Sequence, residues 1–372
     1  MTDQLDMRDV VSPGEPHRFA GRLASARPVV MFLALTFAWT WLFWFAAIPF
    51  HAQPLLVTSI VLIGGFGPAL AAVETLRLRS GAGLDLSTKR LTVMGIAAAA
   101  IFGVLWLRYL VGNSPGARAL ASDLTLTAPT VLAAIVACLV GGWVISAAIS
   151  NSRQVRDRMS SILPWNLPLR WTVVALAFYP GMILASWGLG ILLKASVEYP
   201  ALWGEPVLRV LPLYAVVFTV TLLIQGGNEE PGWRGFLQPE LQNLFSPLVA
   251  AIIVSLVWSL WHLPLFFNGF YAEGGLVAGM AGGGAYRVFL AIFLAWFYMR
   301  TGGNLFLTCW MHASFNLMPT FLPTFDLGLV VLWILTVVGI VFTDKMWRKR
   351  NDSPPVWLPY SPSSDSNRPT TP

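Results

Sequence analysis

Ten apolar runs separated by short polar segments dominate the sequence. They comprise residues 29–50, 55–73, 91–107, 128–149, 171–193, 207–227, 247–267, 285–299, 304–321 and 327–342. A helix needs about 20 apolar residues to cross the hydrocarbon core of a bilayer. Backbone polar groups in lipid must be satisfied within the segment, which favours helices over open sheets. The runs therefore predict an all-α, polytopic transmembrane helix bundle. Because some runs are short, we expect eight to ten helices.

Composition supports the membrane class and argues against nucleic acid as a partner. The chain is 56% hydrophobic and only 11% charged, whereas soluble domains carry about 25% charged residues. The formal charge of +6 comes from lysines and arginines that cluster in short loops between apolar runs, where they set topology. Cys138 and Cys309 lie in different runs, and their spacing predicts neither a disulfide nor a metal site.

The distribution of basic residues predicts the orientation. Lysine and arginine concentrate between the second and third runs, between the fourth and fifth, and after the tenth. By the positive-inside rule, we expect a multi-pass protein of the cell membrane with both termini cytoplasmic. Arg108, Arg118, Lys194 and Arg209 depart from this pattern. Arg209, Arg287 and Arg300 are interpreted as helix-end residues whose charged heads reach the interface.

The stretch 228–236 places charge directly after an apolar run. Glu229, Glu230 and Arg234 follow the sixth run, and the seventh begins at residue 247. Ionisable groups at membrane depth are costly and are functional candidates by default. Pro231 cannot donate to the carbonyl of Gly227 and would clash with it. We therefore predict a helix that continues to about residue 243 with a break at the glutamates.

Two histidines in apolar runs provide partners for these carboxylates. Glu229 lies 17 residues before Ser246 and His262 lies 16 residues after it, so two antiparallel helices would place both at similar depth. His312 and Asn316 stand four apart, on one helix face. Each element alone fits an interfacial residue or hydrogen bonding between helices. Their conjunction at one depth predicts a single site.

The residue types at this site favour hydrolysis. A desolvated glutamate is a competent general base for water, and Glu230 with Arg234 can hold it in place. His262 can orient the water, while His312 and Asn316 can donate to an oxyanion. The apolar segments contain no Ser–His–Asp set in order, so we do not expect a serine nucleophile. Two alternatives stay open: a zinc-dependent metalloprotease with His262 and His312 as ligands, and a non-catalytic binding or transport protein.

Three motifs resemble those of a known family, the CPBP family, which groups type II CAAX prenyl endopeptidases with bacteriocin-processing and self-immunity proteins. They are Glu229-Glu230-x-x-x-Arg234, Trp258-x-x-x-His262 and His312-x-x-x-Asn316, within residues 214–321. The resemblance implies an all-helical intramembrane protease that requires no cofactor. It implies Glu229 as the base, supported by Glu230 and Arg234, with His262 positioning the water and His312 and Asn316 forming the oxyanion hole. One departure is Trp258, where the family usually has phenylalanine, so the pocket shape is expected to differ.

These observations together predict an intramembrane glutamic endopeptidase. The expected partners are the lipid bilayer and a membrane-associated peptide or protein, prenylated or of leader type. The predicted division is a cytoplasmic N-terminal segment (1–28), N-terminal transmembrane helices (29–206), a catalytic transmembrane core (207–343) and a tail (344–372). The tail is basic, then rich in proline and serine, and is predicted to be disordered and cytoplasmic.

Overall fold

A computed structural model describes residues 15–112, 126–163, 167–271 and 275–349. Within these ranges the regular secondary structure is helical, with one isolated antiparallel bridge between Glu198 and Thr324. The α-helices there are α1 Glu15–Ala26, α2 Pro28–Ala46, α3 Pro54–Gly65, α4 Gly67–Arg79, α5 Thr88–Gly112, α6 Ala128–Ser146, α7 Arg153–Met159, α8 Leu169–Leu192, α9 Val207–Thr221, α10 Gly227–Gly232, α11 Gln238–Gln242, α12 Pro247–Trp261, α13 Leu276–Arg300, α14 Leu305–Leu317 and α15 Asp326–Thr343.

The described residues contain nine helical stretches long and apolar enough to cross a membrane. They are Pro28–Phe50, Pro54–Arg79, Thr88–Val111, Ala128–Ile149, Leu169–Leu192, Val207–Gln242, Pro247–Phe266, Leu276–Arg300 and Asp326–Thr343. The all-α polytopic bundle is confirmed, and nine lies inside the predicted range. The ninth apolar run is the one that does not form a span, because α14 has only 13 residues. It ends just before Pro319, which cannot continue the hydrogen-bond ladder.

The helix that carries the glutamates is irregular without being divided in two. It runs continuously over Val207–Gln242, but π-helical segments at Leu222–Gly226 and Trp233–Leu237 flank α10. A π-helical turn is wider than an α-helical one and is common at functional sites. The predicted irregularity at Pro231 thus takes the form of two wide turns around the glutamates rather than a gap.

Close helix contacts fix the position of α10 in the bundle. A Cβ on Gly232 would lie 2.4 Å from the Cβ of Pro68, at the start of α4. A Cβ on Gly226 would lie 2.4 Å from the carbonyl oxygen of Cys309 in α14. Only glycine at these two positions lets the backbones approach so closely. The turn with the two glutamates is therefore held between α4 and α14.

The structure adds detail at both ends of the chain, where the predicted division itself is not tested. The predicted N-terminal segment contains α1, which packs against α4 where Gly21 approaches the carbonyl of Leu78. Asp344, at the start of the predicted tail, accepts hydrogen bonds from Trp296 and Arg300 at 2.7 Å each. The rest of the predicted disordered tail, residues 350–372, lies outside the described residues, as do residues 1–14 and Arg118. The orientation of the termini stays a prediction.

Candidate active site

Glu230 is the structural member of the glutamate pair. Its side chain is fully buried, and Oε1 accepts hydrogen bonds from Arg234 Nη1 at 2.9 Å and from His312 Nδ1 at 2.6 Å. Arg234 stands one turn further along the same helix, while His312 comes from α14. This single oxygen therefore links the glutamate helix to α14 through two charge-assisted contacts.

Glu229 has a different environment, because neighbouring residues of a helix point about 100° apart. Its Oε2 accepts from Trp233 Nε1 at 3.3 Å and from Trp258 Nε1 at 2.5 Å. Its Oε1 accepts no hydrogen bond from the residues that the structure describes, and the residue remains 7% exposed. One oxygen is thus fixed by two indoles, and the other is left to face a ligand.

His262 follows the last residue of α12 and is oriented by its own helix. Its Nδ1 lies 2.7 Å from the carbonyl oxygen of Trp258. Because a carbonyl can only accept, Nδ1 carries the hydrogen, and Nε2 of the neutral ring presents a lone pair. The ring packs edge-on against Trp261 at 4.7 Å and stacks on Tyr271 at 6.1 Å between centroids.

Trp258 connects these groups from the centre of the site. Its ring lies 5.4 Å from that of His312 and 6.1 Å from that of His262. The guanidinium carbon of Arg234 stands 4.8 Å above it, in cation–π geometry. The indole N–H also binds Glu229. Four of the six predicted residues therefore contact this tryptophan, and Glu230 joins them through its hydrogen bonds with Arg234 and His312.

Asn316 is the predicted residue that stands apart. It is exposed, and its Nδ2 donates to Gln225 Oε1 at 2.8 Å rather than to another of the six predicted residues. It lies one turn after His312 on α14. Gln225 belongs to the first π-helical segment, four residues before Glu229. Asn316 therefore reaches the site edge through a glutamine that the sequence interpretation did not include.

The buried ion pair between Glu230 and Arg234 leaves some of its polar atoms without a hydrogen bond. Glu230 Oε2 and the Arg234 atoms Nε and Nη2 are buried and have no hydrogen-bond partner. Burying charged groups is costly unless further hydrogen bonds satisfy their remaining atoms. This pair therefore has no clear benefit for stability, as expected of a functional arrangement. Within the described ranges, no group of three or more His, Cys, Asp or Glu side chains is arranged to hold a metal ion.

Comparison with known proteins adds the family. Residues 211–318 match the family model of the Rce1-like type II CAAX prenyl endopeptidases. The chain is also 28% identical over 137 residues to the protein named CAAX prenyl protease 2 of Methanococcus maripaludis. These matches support membership of the CPBP family. That alignment covers 34% of this chain and 49% of the relative, so the chain spans about half the length of the curated relative that it matches.

The CPBP-family match contains all six predicted site residues. It also lies within the predicted core of residues 207–343, although the domain boundaries themselves stay predictions. The family assignment made from the three motifs is confirmed.

Several residues near the site were missed or misread from the sequence. Trp233 was not among the predicted site residues, yet it donates to Glu229. Gln225 has one signal in the sequence, its spacing of four from Glu229. The interpretation of Arg287 as a helix-end residue is wrong, because α13 begins at Leu276 and places it in the middle. The preceding glycine-rich stretch read as a loop, but it folds as helix.

Proposed function

We propose that the chain is an intramembrane endopeptidase in which Glu229 activates a water molecule. The observation that carries this proposal is the difference in burial and hydrogen bonding between the two adjacent carboxylates. Glu230 is fully buried and bound to Arg234 and His312, whereas Glu229 keeps one oxygen open. A general base must reach its water within hydrogen-bond distance. Of this pair, Glu229 is the one arranged to do so.

The first step is attack of water on the peptide carbonyl. Oε1 of Glu229 takes a proton from the water while the water oxygen bonds to the carbonyl carbon. Oε2, held by Trp233 and Trp258, fixes the carboxylate plane during this transfer. His262 Nδ1 donates its hydrogen to the Trp258 carbonyl. Its Nε2 therefore presents a lone pair and accepts a hydrogen bond from the second O–H of the water.

The tetrahedral intermediate then carries a negative oxygen that needs donors. His312 donates from Nδ1 to the Glu230 carboxylate, and its Nε2 can donate to the oxyanion when that nitrogen also carries a hydrogen. Asn316 supplies its second amide hydrogen, the first being donated to Gln225. Collapse of the intermediate breaks the C–N bond. Glu229 returns its proton to the leaving amine, so that the enzyme regains its starting state.

The substrate that we propose is a membrane-associated peptide, prenylated at its C-terminus or of leader type. The matching family model and the archaeal relative are both named for CAAX prenyl proteolysis. The helices around the site are long and apolar, so a substrate with an apolar anchor would reach it from the bilayer. The scissile segment must be extended there, because a helical backbone hides its carbonyls. We also propose that both chain termini face the cytoplasm.

The test is cleavage of a panel of prenylated C-terminal and leader-type peptides by the purified chain in detergent. We expect the wild type to cleave and Glu229→Gln to lose about 10²–10⁴-fold in rate, the range typical of general base catalysis. Glu240→Gln is the matched control, because Glu240 lies on the same helix and pairs with Arg79 at 3.0 Å, away from the site. It should keep near wild-type activity.

Each cleavage assay, on the wild type and on both variants, is repeated in the presence of a strong chelator. Activity that the chelator leaves intact would support the glutamate-activated water. Loss with the chelator and recovery with zinc would instead support the metalloprotease. Equal cleavage by wild type and Glu229→Gln would remove Glu229 as the base.

A further inference from the structure

Arg287 carries a charge in the middle of a membrane span. It lies on α13, eleven residues after Leu276 and thirteen before Arg300. At 1.5 Å per residue, it stands roughly 16–20 Å from either end. A cation at that depth is costly and marks a functional site by default.

No carboxylate in the described part of the chain pairs with the guanidinium of Arg287. It forms no ion pair with any carboxylate there, in contrast to Arg234, which pairs with Glu230. Its Nη1 is buried and has no hydrogen-bond partner. The neighbouring polar group is the uncharged hydroxyl of Tyr271. Among the described residues, the fold therefore positions a charged donor without an anion to pair with it.

Helix α13 directs this donor towards the catalytic histidine. A Cβ on Gly283 would stand 2.9 Å from Arg287 Nη1, so the side chain runs back towards the beginning of its helix. That half of α13 packs on the end of α12, where a Cβ on Gly279 would lie 2.4 Å from the Phe266 ring. His262 lies at this same end of α12.

Tyr271 bridges the arginine and the site. Its ring stacks on that of His262 at 6.1 Å with an interplanar angle of 16°. Burial raises the pKa of the Tyr271 hydroxyl, the Arg287 guanidinium acts against that rise, and the Glu229 carboxylate adds to it. The hydroxyl is thus within electrostatic reach of both charges.

We propose that Arg287 binds the free C-terminal carboxylate of the peptide whose scissile bond lies at Glu229. The inference rests on the proposed function and names the substrate group that the site selects. Guanidinium and carboxylate match in charge and in planar donor geometry. An extended peptide advances about 3.3–3.6 Å per residue, so only a few residues separate the scissile bond from the chain end.

A C-terminus fits this position better than other anions. Lipid phosphates lie at the edge of a hydrocarbon core about 30 Å thick, whereas Arg287 is near its centre. An aspartate or glutamate side chain would require further polar backbone to continue through the apolar interior, where each unsatisfied group costs several kcal/mol. A chain end adds no backbone beyond the carboxylate.

The test measures binding of two otherwise identical S-farnesyl peptides with three residues after the cysteine, one a free acid and one a C-terminal amide. Binding is followed by the fluorescence of the chain's tryptophans, in detergent, with the full-length protein. We expect the acid to bind at least about tenfold more tightly than the amide, as for hydrogen bonds to charged groups. Arg287→Gln should abolish the difference and Arg287→Lys should retain part of it.

Two controls separate this role from general damage. Arg209→Gln removes an exposed arginine that pairs with Glu205, and it should leave the preference for the acid unchanged. Gly283→Ala crowds the guanidinium and should weaken that preference. Gly282→Ala should not, because no atom lies within 4 Å of the added Cβ.

The outcomes distinguish this inference from the proposed function. Preference for the acid without cleavage would support the carboxylate site and count against the endopeptidase. Cleavage with equal affinity for acid and amide would overturn the carboxylate site and leave the endopeptidase standing. Absence of binding by either peptide, or a preference that persists in Arg287→Gln, would also overturn it. The comparison of acid and amide peptides uses the wild type alone, so it does not depend on the correct folding of any variant.

Discussion

The indole nitrogen of Trp258 lies 2.5 Å from Oε2 of Glu229, joining α12 to α10 at the proposed catalytic carboxylate. Trp233 donates to the same oxygen from 3.3 Å. Two donors on one oxygen orient the carboxylate and leave the other oxygen free. The family usually has phenylalanine where this chain has Trp258, so this donor is a feature of the present site.

Replacing Trp258 with phenylalanine tests the value of that donor. The substitution removes the N–H and keeps an aromatic ring beside His312 and Arg234. A hydrogen bond to a charged group is worth about 1.5–3 kcal/mol, so we expect kcat to fall about tenfold or more with a small change in melting temperature. Trp261→Phe is the control, because Trp261 donates to Thr40 Oγ1 at 2.8 Å and not to the site. An equal loss of kcat in both variants would contradict the assignment.

Removing one partner of the buried ion pair should affect stability more than removing the proposed base. Glu230→Gln leaves the fully buried Arg234 without its counter-charge, and such losses cost about 3–5 kcal/mol. Glu229→Gln leaves no unpaired charge of this kind, so its melting temperature should be close to that of the wild type. Thermal unfolding in detergent compares the two. The double variant Glu230→Gln with Arg234→Met should recover part of the loss. A more stable Glu230→Gln than Glu229→Gln would reverse the roles assigned here.

Gln225 is expected to act through Asn316. Its Oε1 accepts from Asn316 Nδ2 at 2.8 Å, which fixes the amide so that its second hydrogen can reach the oxyanion. Gln225→Leu should lower kcat several-fold and leave KM nearly unchanged. In an Asn316→Ala background, the same substitution should have little further effect, because coupled residues are not additive. Additive losses would show that Gln225 works independently of Asn316.

Glycine at position 226 is expected to be essential for the packing of the site. An alanine Cβ there would lie 2.4 Å from the backbone oxygen of Cys309, so α14 would have to move. We expect Gly226→Ala to destabilise the fold by about 1–3 kcal/mol, the usual cost of overpacking, and to reduce activity. Gly181→Ala on α8 is the matched control, because no atom lies within 4 Å of its added Cβ. Thermal unfolding and peptide cleavage measure both effects, and equal behaviour of the two variants would contradict the packing argument.

Much of the architecture was predictable from local sequence. Run length and hydrophobicity fix which segments form membrane helices, because the bilayer sets one length scale. Spacing along the helices also placed Glu229 and His262 at one depth, and in the structure both contact Trp258. The stretch before Arg287 was misread because its glycines suggest a loop in sequence. In the fold, Gly279 accommodates Phe266 within a continuous helix.

The sequence by itself determined the membrane class, the helical fold, the family and the set of charged residues that converge. Each of these depends on composition, periodicity or motif spacing along one chain. Only the tertiary structure decided that Glu230 is enclosed while Glu229 keeps a free oxygen, that Gln225 bonds Asn316 and that Arg287 lies beside Tyr271. Those facts depend on the rotation and separation of neighbouring helices. The close contacts at Gly226 and Gly232 set both, and no single helix encodes them.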